Sequence, residues 1–200
     1  MNANFKKLAL FVATTAALGM SADLRAEENS AADTTAPFGT TFSVPVRVDF
    51  LVRIPSFLFF QVGTAGAVVD QVVFSPTVAE VEGSTAVTGV AALGVTLRSN
   101  AGPVTITATN SGTTGLANGA GDFINYSTIT AGVTGANTDL VPPTLTNAGG
   151  TTSVIPVTSP KVTNKTATWT YTYTPTGIPP AGEYGGSANG GRVTYTASTV

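Results

Sequence analysis

The sequence predicts an all-β fold, a two-sheet sandwich or a barrel, on three observations. Apolar and polar residues alternate at period two in several runs, of which Thr166–Thr174 is the clearest. In a strand such alternation puts one face in a core and the other in water. Twenty-two glycines and 12 prolines are spread between these runs, where they punctuate turns. Threonine, a strand-favouring residue, is abundant, and beyond the first residues no stretch carries a 3.6-residue apolar pattern. At 200 residues, 42% hydrophobic and 10% charged, the chain is long enough to bury one core.

The chain begins with a secretory pattern. Lys6 and Lys7 precede the apolar run Leu8–Leu18, and small residues follow, with cleavage expected after Gly19, Ala22 or Ala26. The run is too short for a membrane span. Residues 1–26 are therefore expected to be a signal peptide that sends the chain out through the Sec route. Glu27–Gly39 is polar, rich in small residues and without period. It reads as a flexible tail.

Phe42–Ile54 is the most regular stretch. Phe42, Val44, Val46, Val48, Phe50, Val52 and Ile54 alternate with Ser43, Pro45, Arg47, Asp49, Leu51 and Arg53. Thirteen residues at about 3.3 Å each span roughly 43 Å, against about 5–6 residues in an ordinary strand. Two readings stay open: a first strand paired in its own domain, or an arm up to about Asp49 that completes another subunit's sheet.

Phe57–Val62 reads as a short strand buried on both faces, and Val68–Phe74 as the next, closed by Ser75-Pro76. Val78–Val90 alternates weakly, with Glu80 and Glu82 on one strand face. Leu93–Arg98 and Val104–Thr109 flank Ser99-Asn100-Ala101-Gly102-Pro103 and read as a hairpin. Phe123–Ile129 is a further strand, Ala131–Gly150 a long loop, and Thr152–Val157 a short edge strand. In Thr166–Thr174 the residues Ala167, Trp169, Tyr171 and Tyr173 share a face, with threonines opposite. Arg192–Val200 closes the chain, with Val193, Tyr195 and Ala197 on one face.

The chemistry is bounded as firmly as the fold. Without cysteine or histidine the chain has no thiol nucleophile, disulfide, Cys/His zinc site or Ser-His-Asp triad. An all-carboxylate cation site is the one metal chemistry left open. The formal charge of −2 gives no general attraction to nucleic acid, so none is expected as a partner. Glu80 with Glu82, and Asp70, Asp122 and Asp139, read as solvated surface charge rather than a glycosidase pair. Trp169, Tyr171 and Tyr173 read as core rather than a sugar-stacking strip. No enzyme activity and no cofactor are expected.

The signal pattern, the alternating TFSVPVRVDF, the apolar IPSFLFFQVG, and the terminal GRVTYTAS preceded by AGEYGG together resemble pilin subunits of the bacterial chaperone–usher pathway. The lack of any disulfide, Pro45 within the arm and the inner position of Tyr195 mark a divergent branch. The resemblance implies an immunoglobulin-like sandwich (residues 50–200) lacking its last strand, after a tail and donor-strand arm (residues 27–49). It implies a fimbrial subunit, folded with a periplasmic chaperone, passed to an outer-membrane usher, and polymerised with other pilin subunits at the cell surface in adhesion or biofilm. Phe42, Val44, Val46 and Val48 would be the donor residues, and Val193, Tyr195 and Ala197 would border the receiving groove. The competing expectation is a monomeric secreted module that binds a carbohydrate or a surface.

Overall fold

The computed structural model describes residues 29–32, 42–66, 68–147, 149 and 151–199, so the expected signal peptide and most of the tail lie outside the described residues. The chain divides into two compact units, residues 1–53 and 54–200. Among the described residues of the first unit, 42–53 enter no strand, despite their strict alternation. Their apolar side chains are exposed, Phe50 to 91%.

Every strand pair described in the second unit is antiparallel. Sheet I contains β1 (Leu58–Val62), β2 (Val87–Thr88), β3 (Leu93–Ser99), β7 (Ile129–Thr134) and β9 (Thr163–Tyr173). Sheet II runs β10 (Val193–Thr199), β4 (Val104–Asn110), β8 (Thr151–Ile155). A small ribbon pairs β5 (Leu116–Ala117) with β6 (Phe123–Ile124). Trp169 pairs with both β3 and β7, and Tyr173 with both β2 and β7. A residue has only two neighbouring strand positions, so β2 continues the β3 side and sheet I is four strands across. Sheet II is three across.

One core lies between the sheets. Val95 and Leu97 of β3, Ala167, Trp169, Tyr171 and Tyr173 of β9, Val104, Ile106 and Ala108 of β4, and Ile155 of β8 are all buried in it. Trp169 is fully buried. Its Nε1 donates to the Leu140 carbonyl at 2.8 Å, and its ring meets that of Tyr195 edge-on at 5.2 Å. The period-two face of β9 extends further toward its start than the aromatics indicate, through buried Lys165 and Thr163. The Lys165 ammonium, 4% exposed, pairs with the Asp139 carboxylate, 48% exposed.

Several expectations are corrected. β3 and β4 are not a hairpin, because they belong to different sheets. Gly102, at φ +111°, and Pro103 carry the chain from one layer to the other. The crossing is held by Gly102 N donating to Lys161 O at 2.9 Å and by Thr163 Oγ1 donating to Gly102 O at 3.1 Å. β1 is not buried on both faces. Among the described residues it is an edge strand paired only with β3, and Phe59 is 46% exposed. Residues 68–74 form no strand. They lie beside the residues that follow β2, with the bond from Val90 N to Val73 O, 3.0 Å, and β2 itself is two residues long.

Residues 78–82 are a short helix, α1 (Val78–Glu82), so Glu80 and Glu82 share no strand face. Its cause is local: Thr77 Oγ1 accepts from Glu80 N while Glu80 Oε2 accepts from Thr77 N at 2.7 Å, a reciprocal cap. The bond from Thr77 N, with a second from Thr77 Oγ1 to Glu80 Oε2 at 2.8 Å, holds the Glu80 carboxyl below its ordinary value. The expected strand at 123–129 is instead β6, a 3₁₀ turn at Tyr126–Thr128 and the start of β7. β7 in turn takes the first residues of the expected loop.

The Lys165–Asp139 pair generates a prediction. Lys165→Met removes a buried cation and leaves a half-exposed carboxylate that water solvates, so stability should hold or rise. Asp139→Ala strands the buried ammonium and should cost about 1–3 kcal/mol, below the full cost of breaking a wholly buried pair because Asp139 is half solvated. Urea unfolding midpoints of the two variants check this; a neutral Asp139→Ala would mean that Lys165 reaches water unaided.

Candidate functional site: an open sheet edge above a tyrosine-lined groove

β10 pairs with β4 on one side and with no described strand on the other. Antiparallel pairing dictates which of its backbone groups are left over. Ser111 N donates to Arg192 O at 2.9 Å, and Thr105 Oγ1 donates to Ser198 O. Arg192, Thr194, Thr196 and Ser198 therefore direct their N–H and C=O toward β4, since these directions alternate along a strand. Val193, Tyr195, Ala197 and Thr199 direct theirs to the open edge. The same four are on the inner face of the sheet, opposite Asn110, Ala108, Ile106 and Val104. Each combines an inward side chain with an outward-reaching backbone.

Below this edge is a groove of about 950 Å³. All five tyrosines of the chain line it: Tyr126, Tyr171, Tyr173, Tyr184 and Tyr195. They come from the 3₁₀ turn, from β9, from the loop before β10 and from β10 itself. Phe74, Leu93, Leu116, Ile124 and Val193 add apolar wall. Phe74 leans on Tyr173, with ring centroids 6.0 Å apart. Gly89 is required here, because a Cβ would sit 2.4 Å from Val72 Cγ1.

Most of the phenol groups are occupied within the protein. Tyr171 and Tyr195 hydroxyls bond each other at 2.9 Å, Tyr184 donates to Pro180 O at 2.8 Å, and Tyr126 donates to Gly190 O. The groove therefore offers ring faces more than free polar atoms. Burial pushes the phenols of Tyr195, Tyr171, Tyr126 and Tyr173 upward. Tyr195 is raised furthest, because the neighbouring Tyr171 also disfavours its anion. All remain neutral at physiological pH.

Of the site residues expected from sequence, Val193, Tyr195 and Ala197 do share the inner face of the last strand, half-buried. Val193 and Tyr195 line the groove, and Ala197 lies further along β10. Phe42, Val44, Val46 and Val48 lie in the other unit, exposed and outside any strand. Tyr126, Tyr184, Phe74, Leu116 and Ile124 were not anticipated. They sit in irregular segments, the 3₁₀ turn and two-residue strands, where no sustained period marks a buried side chain.

The carboxylates are dispersed and serve local structure. Asp70 accepts from Thr64 N at 2.6 Å, Asp122 from Asn118 Nδ2 at 2.9 Å, and Asp139 pairs with Lys165. Among the described residues no three potential metal ligands converge, and no helix is long and apolar enough to cross a membrane. In comparisons with protein families, curated proteins and solved structures, nothing matches the chain.

The tyrosines make stability depend on alkaline pH. The folded state favours the neutral phenol, so their contribution is full below the ordinary value near 10 and is lost as pH rises through the higher folded values. Stability should be flat, as far as these groups act, through neutral pH and fall above about pH 10. Tyr195→Phe leaves the Tyr171 hydroxyl without its partner and should cost about 1–2 kcal/mol. Denaturant unfolding at pH 7 and pH 11 checks both; a wild-type midpoint unchanged at pH 11 would refute the alkaline effect.

Proposed function

We propose that the protein is a fimbrial subunit of the chaperone–usher type, which polymerises when the arm of one copy completes the sheet of the next. The observation that carries the reading is the combination on one chain of a strand-shaped vacancy and a strand-shaped filler. Sheet II is one strand narrower than sheet I, and the unpaired edge of β10 borders an apolar groove. Ahead of this domain is a seven-fold apolar alternation that enters no strand and is exposed, most of it strongly. Edge strands with exposed backbone groups invite pairing with another chain, and added strands gain affinity from main-chain bonds and specificity from alternate side chains.

In this reading the second unit is an immunoglobulin-like sandwich lacking its last strand. A periplasmic chaperone covers the groove until an outer-membrane usher presents the next subunit. The signal pattern takes the chain to the periplasm, and the assembled fibre stands on the cell surface, serving adhesion or biofilm. The tyrosine lining also suits a sugar, so the second reading is a monomeric carbohydrate-binding module. A monomer that binds glycans and never forms SDS-resistant ladders would favour it.

Val46→Asp tests the arm. A buried Val contributes about 1.5–3 kcal/mol, whereas an unpaired buried carboxylate opposes docking by several kcal/mol. The variant should fold and accumulate with its chaperone, yet form no SDS-resistant ladder. Normal ladders from Val46→Asp would remove the arm from the mechanism. Loss of the folded subunit itself would assign Val46 to its own core.

A further inference from the structure

Beside the groove is a second cavity, of about 340 Å³, lined by β6 and the turn before it, by the end of β9 and by residues 176–180. Its volume falls in the range of small-molecule sites, about 300–1,000 Å³. We propose that it binds a neutral pyranose sugar, with Asp122, Asn125 and Tyr173 holding the hydroxyls and Phe123 packing on the ring. No residue of β10 lines this cavity, so the inference stands apart from the fibre reading and its test does not depend on assembly.

The carboxylate is fixed by its own turn. Asn118 Oδ1 accepts from Ala120 N at 2.8 Å and from Asp122 N at 3.1 Å, and Asn118 N donates to Asp122 O at 3.1 Å. Asn118 Nδ2 also donates to Asp122 Oδ2 at 2.9 Å. That bond holds the side chain and leaves Asp122 Oδ1 to accept from a ligand.

The amide of Asn125 is oriented by a chain of bonds that starts at a backbone donor. Tyr126 N–H can only donate, so the Asn147 atom that receives it, at 2.8 Å, is Oδ1. Asn147 must then reach Asn125 with its Nδ2, at 2.6 Å, and Asn125 must accept with its Oδ1. The NH₂ of Asn125 remains. It makes no bond within the protein, and the chain of bonds rules out the flipped amide, so the cavity gains a donor.

Tyr173 supplies the third polar group, and the most telling one. The residue is only 7% exposed, yet its hydroxyl bonds no protein group, unlike those of the other four tyrosines. Among the described residues no side-chain oxygen or nitrogen is both sealed from solvent and unbonded. The Tyr173 hydroxyl therefore opens on the space that the residue lines. A neutral phenol there both donates and accepts.

These groups define the ligand class. Among the described residues lining the cavity Asp122 alone is charged, so no cation is there to hold a phosphate or a carboxylate. A cationic ligand would satisfy Asp122 but not the Asn125 donor. An acceptor, a donor and a hydroxyl of either sense match neighbouring sugar hydroxyls, each of which can donate and accept. Phe123 and Ile178, 53% and 74% exposed, add apolar surface for the C–H face of a ring. Mostly apolar walls with a few placed polar groups are the usual make-up of such sites.

NMR titration of the isotope-labelled protein with the methyl glycosides of glucose, galactose and mannose tests the site. At least one should shift the Asn125 side-chain amide together with the backbone amides of Asp122 and Thr176, along one saturable curve. Tyr173→Phe deletes a hydroxyl that no protein group uses. The variant should keep its urea midpoint and bind the sugar about tenfold more weakly. Asn125→Asp keeps the acceptor that Asn147 needs and replaces the donor with a second acceptor, so it should weaken binding at least as much. No shift with any of these glycosides would overturn the proposal. Shifts with tetramethylammonium and none with the glycosides would overturn the ligand class. Sugar binding unchanged in both variants would place the sugar elsewhere and overturn the residue assignment.

Discussion

The constraint on which this structure turns is the unfinished edge of β10. Backbone N–H and C=O groups must be paired or solvated, and four residues of the last strand turn theirs away from β4 while sending their side chains inward. A solvated edge would be unremarkable over a closed core. This one borders a groove lined by apolar rings, so whatever satisfies the backbone is best placed to cover the rings as well.

The two sheets differ by one strand, four against three, and no described strand pairs with the free side of β10. Loops line part of the groove: residues 71–76 with Val72 and Phe74, and the loop before β10 with Tyr184. The layers stay together where both sheets are complete, around Trp169. There an indole hydrogen bond to Leu140 and edge-on contact with Tyr195 fix the spacing in a chain without a covalent cross-link. Tyr195 belongs to both regions, since its ring packs on Trp169 and its hydroxyl joins Tyr171 in the groove. A ligand strand seated on β10 would therefore press on the same side chains that hold the layers.

In the proposed fibre this arrangement ties stability to assembly. The subunit alone is an incomplete core with an exposed apolar arm, and both defects disappear when copies join. The charge balance fits such a role better than electrostatic recognition, because only 10% of the residues are charged. Exposed strand faces are dominated by threonine, as on the outer sides of β4 and β9.

The all-β class, strands at Leu93–Arg98, Val104–Thr109, Thr166–Thr174 and within Arg192–Val200, and the inward faces of the last two were legible in the sequence alone. Period-two alternation is a local property, and four or more residues suffice to carry it. The alternation of 42–54 was as plain, yet it enters no strand, because alternation says that a face seeks burial and not which partner supplies it. The Thr77–Glu80 cap is also legible, as Thr-x-x-Glu, but the weak alternation of Val78–Val90 points to a strand instead. Tertiary structure decided the rest. Whether β3 and β4 pair or part depends on Lys161 and Thr163, some sixty residues away, holding the Gly102 crossing. The convergence of five tyrosines depends on four separate segments meeting, and three of the rings lie on β9 and β10 while two sit in aperiodic turns. Pairing partners and the shape of a groove are properties of distance in space, and a pattern of neighbours along the chain contains no measure of that distance.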